Sequence, residues 1–215
     1  GKTPRNTSRW RFSDSASEKG LEMSEHRTVC IVAGAGRGRR FGVDIPKGFY
    51  SIEGKPLLVR SIERVRAAGV VDEFVILVPE GWEEEAASML EEEFKGSDFT
   101  VMAGGKTRQQ SVAIGLRTVG RAGLVLIHDA CRPFISTHLV QRVVKAGKET
   151  GAAVPVLLVT ETLARIRDEI IEGIVPRERV VGIQTPQAFS LEVLKKAYDT
   201  AEERIMTATD ESSLV

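Results

Sequence analysis

"TVCIVAGAGRGRRFGVDIPKGF", residues 28–49, joins a short apolar, β-branched run to a turn holding Gly34, Gly36 and Gly38 among Arg37, Arg39 and Arg40, and then sets Lys47 directly behind Pro46. A run of this length that stops at glycine reads as a buried strand opening into a loop. The strand signal returns in "EFVILV" (73–78), "DFTVM" (98–102), "LVLIH" (124–128) and "AAVPVLLV" (152–159). Between these lie stretches with helical spacing of apolar residues: "PLLVRSIERVRAAG" (56–69), "GWEEEAASMLEEEF" (81–94), "QQSVAIGLRTV" (109–119) and "THLVQRVVKAGKETG" (137–151). Pro56 and Gly69 stand where a helix starts and stops. Strand and helix in alternation predict an α/β fold: a Rossmann-like, mostly parallel sheet with helices on both faces.

One segment breaks the alternation. "TLARIRDEIIEGIVPRERV" (162–180) places two Ile- and Val-rich stretches around "RDE" where a helix is due, and it reads as a protruding β-arm over about 160–180. An isolated two-stranded ribbon is marginal unless something packs on it. "QTPQAFSLEVLKKAYDTAEE" (184–203) follows as a short strand or turn and an amphipathic helix.

The totals narrow the function. A length of 215 residues suits one sizeable domain, and 42% hydrophobic with 28% charged residues is the range of globular proteins. Thirty basic residues balance thirty acidic ones, so no global field draws in nucleic acid or an anionic membrane. No apolar run approaches the roughly 20 residues that span a bilayer. Two cysteines, Cys30 in a strand and Cys131 in a turn, fit a reducing compartment such as the cytoplasm. Residues 1–22 lack periodicity and precede Met23, and are read as an extension or tag.

In an open α/β sheet, ligands gather at the carboxyl ends of strands. There the glycines of residues 34–38 let backbone N–H groups approach an anion, and the arginines and Lys47 add full charges. A triphosphate brings about four negative charges, which would compensate such a cluster; a solvated basic turn is the plainer alternative. The dinucleotide fingerprint fails on spacing, because Arg39 and Phe41 stand where its last glycine belongs. A Walker loop fails too, since no Gly-Lys-Ser/Thr occurs. Asp129 ends "LVLIH" just ahead of Arg132 and Pro133, and is either a Mg²⁺ carboxylate or a turn residue. His128, on the opposite face, reads as a structural histidine. "AGGKTRQQSV" (103–112) offers Gly105, Arg108 and Ser111 at a helix start, either as a capped helix or as a surface that reads a base.

These stretches, with "IHDACRPF", "ETLARI", "VPRERVVGIQTPQAF" and "ATDESS" in the same order, make the chain from Thr28 to Val215 resemble the 2-C-methyl-D-erythritol 4-phosphate cytidylyltransferases of the non-mevalonate isoprenoid route. Ribitol-5-phosphate cytidylyltransferases share most of these motifs. The resemblance implies a nucleotidyltransferase domain over 23–215 that binds CTP and a polyol phosphate with Mg²⁺. It implies Ala35, Gly36, Gly38, Arg40 and Lys47 around the phosphates, Gly105, Arg108 and Ser111 toward cytosine and ribose, and Asp129 on the metal. Arg40 and Lys47 match the residues that stabilise the transition state. The resemblance further implies that Arg177 orients the attacking substrate and that Thr162, Arg177 and Arg132 hold its phosphate. In the family the arm is exchanged between two subunits, which implies a homodimer with Thr162 and Arg177 supplied by the neighbour. Two departures stand out. Gly48 replaces the usual glutamine of P-K-Q, and the family pattern runs on past "TDESS" to an acidic residue and a lysine. That second departure implies that a second metal carboxylate and one substrate lysine are absent from these residues, so that either the full protein is longer or the site is incomplete; a non-catalytic CTP-binding protein is the alternative in the second case.

Overall fold

In a computed structural model, which describes residues 27–36, 45–95, 99–203 and 208–215, the chain forms a six-stranded sheet with helices on both faces. Its main elements are β1 (Thr28–Ala33), β2 (Ser51–Ile52), β3 (Lys55–Pro56), α1 (Leu57–Arg66), β4 (Glu73–Val78), α2 (Glu83–Glu93), β5 (Phe99–Ala103), α3 (Arg108–Thr118), β6 (Leu124–Asp129) and α4 (Thr137–Thr150). Then follow β7 (Ala152–Ala153), β8 (Val156–Leu158), β9 (Leu163–Arg167), β10 (Ile170–Val175), β11 (Val181–Ile183), β12 (Gln187–Ser190) and α5 (Leu191–Glu203). The sheet order is β5-β4-β1-β6-β12-β7. The first four strands are mutually parallel, and β12 runs antiparallel to both β6 and β7.

Alternation along each buried strand divides the core in two. Cys30 and Val32 of β1 face Leu58 and Ile62 of α1, Leu90 of α2 and Val140 of α4 on one side. Val29 and Ile31 face Val112 and Leu116 of α3 and Leu194 of α5 on the other. Both faces being covered explains why the parallel strands are continuous apolar runs. The helix ends obey local chemistry. Thr107 caps α3 by accepting from the Gln110 N–H, Ser136 caps α4 by accepting from Leu139, and Gly151 closes α4 in the left-handed conformation at φ 81°.

One expectation needs correction. "AAVPVLLV" is not one strand, because Pro155 has no N–H to give a ladder. Ala152–Ala153 stay on the main sheet, whereas Val156–Leu158 leave it and pair with β11. The short strand expected after the arm is present as β12, inserted into the main sheet between β6 and β7. The arm is a hairpin of β9 and β10, turning at Asp168 and Glu169, both with positive φ as a two-residue I′ turn requires. Residues 1–26, including the expected extension, lie outside the described residues.

The strand order fixes the site. Chain order moves from β1 outward to β4 and β5, then returns to β6 on the other side of β1. The crevice at such a reversal lies beyond the carboxyl ends of β1 and β6.

Candidate active site

Three loops meet at that crevice. The first leaves β1 at Gly34, whose N–H donates to Leu77 O at 2.8 Å. A Cβ on Gly34 would lie 2.9 Å from that carbonyl and 3.0 Å from the Ala130 Cβ, so only glycine fits between β4 and the β6 loop. The second loop leaves β5 at Gly104, whose N–H donates to Val78 O at 2.8 Å. A Cβ there would stand 2.3 Å from the Ala35 Cβ, so the absence of a side chain lets the two loops touch. The third leaves β6 at Asp129 and is tied to the first where the Ala130 N–H donates to Ala33 O at 3.0 Å.

The second loop is held from within. Ser111 is buried, and its Oγ accepts from the Gly105 N–H at 3.0 Å while donating to Thr107 O at 2.8 Å. The Gln110 side chain accepts from the Lys106 N–H. The hydroxyl of Ser111 is thus engaged in shaping the turn around Gly105.

A chain of alternating charges crosses the crevice. Arg108 Nε donates to Asp129 Oδ1 at 2.9 Å, and Arg132 Nε donates to Asp129 Oδ2 at 3.0 Å. Arg108 Nη1 donates to Glu211 Oε2 at 2.6 Å, and Tyr198 donates to Glu211 Oε1 at 2.9 Å. Arg132 Nη1 also donates to Gln184 Oε1. Burial works against the charge of Arg108, but Glu211 and Asp129 outweigh it and hold the guanidinium protonated. Tyr198 is pushed up by burial and by Glu211, so its hydroxyl stays a donor.

Behind Asp129 the fully buried His128 places Nε2 3.2 Å from Arg132 O and Nδ1 3.1 Å from Thr185 Oγ1. Thr185 also accepts from the Asp129 N–H. These partners suit a neutral ring that donates from Nε2 and accepts at Nδ1. Burial holds the imidazole at about 4, against its ordinary 6.5. His128 is therefore the structural histidine expected from its face of β6.

Lys47 opens a 3-10 turn after Pro46, and with Arg132, Gln184 and Tyr50 it lines a cavity of about 710 Å³. Cys131 lines the same cavity, its thiol raised by burial despite nearby Lys47. Of the residues singled out in the sequence, Ala35, Gly36, Lys47, Gly105, Arg108, Ser111, Asp129 and Arg132 lie on the three loops and the turn at Lys47. Thr162 and Arg177 do not join them: both are exposed on the arm, where Arg177 Nη1 donates to Thr160 O. Gly38 and Arg40 lie outside the described residues.

A buried carboxylate that the sequence pattern did not single out joins this chain of charges. Glu211, inside "ATDESS", is 1% exposed and grips the same guanidinium as Asp129. The sequence signal for it was slender: an acid in a serine-rich stretch, 103 residues from its cationic partner. Tyr198 lies within the amphipathic stretch 184–203, where nothing in the pattern singles it out.

The model of the family described as IspD, 2-C-methyl-D-erythritol 4-phosphate cytidylyltransferase, matches residues 28–215. The chain belongs to that family. A cytidylyltransferase of this name from Thermotoga neapolitana is 37% identical over 177 residues, covering 81% of this chain and 78% of the relative. One from Deinococcus radiodurans is 38% identical over 192 residues, covering 89% and 77%. The crystal structure of the Thermus thermophilus cytidylyltransferase superposes with a TM-score of 0.72 at 34% identity, covering 87% of this chain and 82% of that one. In this cytidylyltransferase chain the stretches that carry the sequence resemblance fall on the crevice described above. "AGGKTRQQSV" spans the end of β5 and the start of α3, "IHDACRPF" the end of β6, and "ATDESS" the segment that delivers Glu211.

Proposed function

We propose that the protein transfers the cytidylyl group of CTP to 2-C-methyl-D-erythritol 4-phosphate. A phosphate oxygen of the polyol substrate attacks the α-phosphorus of CTP. The new P–O bond forms as the bond to the β-phosphate bridge breaks, and pyrophosphate leaves with that electron pair. The product is CDP-methylerythritol, and no covalent enzyme intermediate is needed. The observation that carries this reading is the meeting of the Gly34–Gly36 loop, the Gly104–Gly105 turn and the Asp129–Arg132 loop at the switch point of a sheet from this family.

The roles of the residues follow from charge and reach. Backbone N–H groups of the glycine loops cradle phosphates without a side chain intervening. Lys47, fixed by Pro46, neutralises charge on the phosphates as it shifts toward the leaving group; Arg40 shares that task. Gly105, Arg108 and the turn shaped by Ser111 hold the nucleoside side. Arg132, with Thr162 and Arg177 of a second copy, holds the polyol phosphate and aligns it for attack. The arm supports that dimer, because Ile166, Ile170, Ile171 and Ile174 are exposed in the single chain and an apolar ribbon of that kind wants cover.

The donor set also fits Mg²⁺. Asp129 is one hard carboxylate, 25% exposed, whose oxygens each keep a lone pair beyond the arginine bonds. Mg²⁺ commonly takes one or two carboxylates and fills its shell with phosphate oxygens and water. Asp129 would hold it, and the bound ion would supply charge neutralisation on the triphosphate. Among the described residues no helix is long and apolar enough to cross a membrane.

The test is Lys47→Ala assayed for pyrophosphate release from CTP with methylerythritol phosphate, and with ribitol 5-phosphate as the competing polyol. Loss of one preorganised cation should slow turnover by roughly 10²–10³-fold, about 3–4 kcal/mol of barrier. Turnover near that of the parent protein would remove Lys47 from the mechanism. A higher kcat/KM with ribitol 5-phosphate would reassign the acceptor.

A further inference from the structure

Arg108 is held in an unusual way for a guanidinium between two carboxylates. The planar group has a side-on edge made of Nε and Nη2, which closes on a single carboxylate as a two-point fork when nothing prevents it. Here the fork is half used. Nε donates to Asp129 Oδ1, but Nη2 is buried and finds no hydrogen-bond partner among the described residues. An unpaired buried donor costs free energy, so something must hold it apart from Asp129.

Glu211 is placed to do so. It draws Nη1 to itself at 2.6 Å, and Arg132 occupies the other oxygen of Asp129. Glu211 cannot swing away, because Tyr198 fastens its second oxygen and the Ala208 N–H donates to Gln109 Oε1 at 3.0 Å, stitching the C-terminal segment to the start of α3. The carboxylate is buried and both its oxygens are engaged, so its charge is accounted for without solvent.

We infer that Glu211 is a positioning residue: with Tyr198 it holds Arg108 off a two-point pair with Asp129 and so reserves Arg108 Nη2 for an oxygen of the bound nucleotide. The inference rests on the proposed CTP site and adds the residue that sets its geometry. Without the charge of Glu211, the guanidinium turns onto Asp129, its spare donor is consumed, and the Asp129 carboxylate is covered at the same time.

The experiment is calorimetric titration of the full chain with CTP, UTP, ATP and GTP in magnesium buffer, in the parent protein, Glu211→Gln, Tyr198→Phe, Arg108→Ala and the Glu211→Gln/Arg108→Ala double variant. Glu211→Gln should weaken CTP binding about tenfold, the weight of one hydrogen bond to a polar ligand oxygen. Tyr198→Phe, which keeps the core volume, should weaken it about threefold in the same direction, and serves alone if Glu211→Gln fails to fold. The double variant should bind no more weakly than Arg108→Ala, since the effect of Glu211 runs through that arginine. KM for the polyol phosphate should stay within about twofold, which a general loss of structure would not allow. CTP binding within twofold of the parent in both Glu211→Gln and Tyr198→Phe, additive losses in the double variant, or an equal rise in KM for both substrates would each overturn the inference while leaving the CTP reading standing. A parent protein that gives no heat with any of the four nucleotides overturns the CTP reading and the inference with it.

Discussion

Gly104→Ala probes the contact on which the crevice depends. The added methyl would lie 2.3 Å from the Ala35 Cβ and 2.8 Å from Ser111 Oγ. Carbon atoms pack at roughly 3.5 Å or more, so one loop must retreat by about 1.2 Å, the difference between 3.5 and 2.3. Gly34 and Gly104 are each bonded to β4, through Leu77 O and Val78 O, so the separation has to come from the residues just beyond those two anchors. Overpacking of this kind costs about 1–3 kcal/mol of stability, a fall of several degrees in Tm for a chain of this size. Activity should suffer more. A displacement of about 1 Å in a positioning loop costs on the order of 10²-fold in kcat/KM, measured as pyrophosphate release. Ala35→Gly in the same chain removes the nearest atom and leaves the lesser contacts with Ser111 Oγ at 2.8 Å and Ser111 Cβ at 3.2 Å, so it should restore about tenfold of that loss. Gly120→Ala, where no heavy atom lies within 4 Å of the new Cβ, is the control and should be neutral. Unchanged kcat/KM in Gly104→Ala, or no recovery on adding Ala35→Gly, would refute the claim that the two loops are set by direct contact.

Two further outcomes follow from the buried histidine and the arm. Burial holds His128 at about 4, so between its ordinary 6.5 and that value the unfolded chain binds a proton that the folded one refuses. Stability is complete above that window and falls as pH drops through it, by roughly 3 kcal/mol in all. The charge of Asp129 and the hydrogen bond to the Arg132 carbonyl push the other way, and the charges of Arg132 and Arg108 add to the lowering. Urea midpoints from pH 7 to 4.5 should fall more steeply for the parent protein than for His128→Asn; parallel curves would dismiss the assignment. Placing aspartates at Ile171 and Ile174, both exposed on β10, should convert a sedimenting dimer to monomer and abolish turnover. A variant that stays dimeric would exclude the arm as the interface.

How far the sequence could be read depended on the range of the interaction. "EFVILV" occupies 73–78 in the structure as it does in the sequence pattern, because the five-residue apolar run Phe74–Val78, rich in β-branched residues and stopped by Pro79, has the length of a strand buried on both faces. The start of α1 was likewise written in Pro56. The glycine loop, Lys47, Arg108, Asp129 and Arg132 could be singled out because cations and glycines behind strand ends have few other uses. Pro155 was visible, but that it sends Val156–Leu158 out of the sheet depends on β11 being there to receive them.

The chain itself determined its elements and their chemistry, since hydrophobic period, caps and turn residues act over a few positions and need no partner. Only the tertiary structure decided which distant groups became neighbours. Gly104 against Ala35, β12 between β6 and β7, and Glu211 against Arg108 are pairings across tens of residues to about a hundred. Their signal lies in complementary shape and charge brought together by the sheet order, and an acid such as Glu211 carries no mark of its role until a buried guanidinium stands beside it.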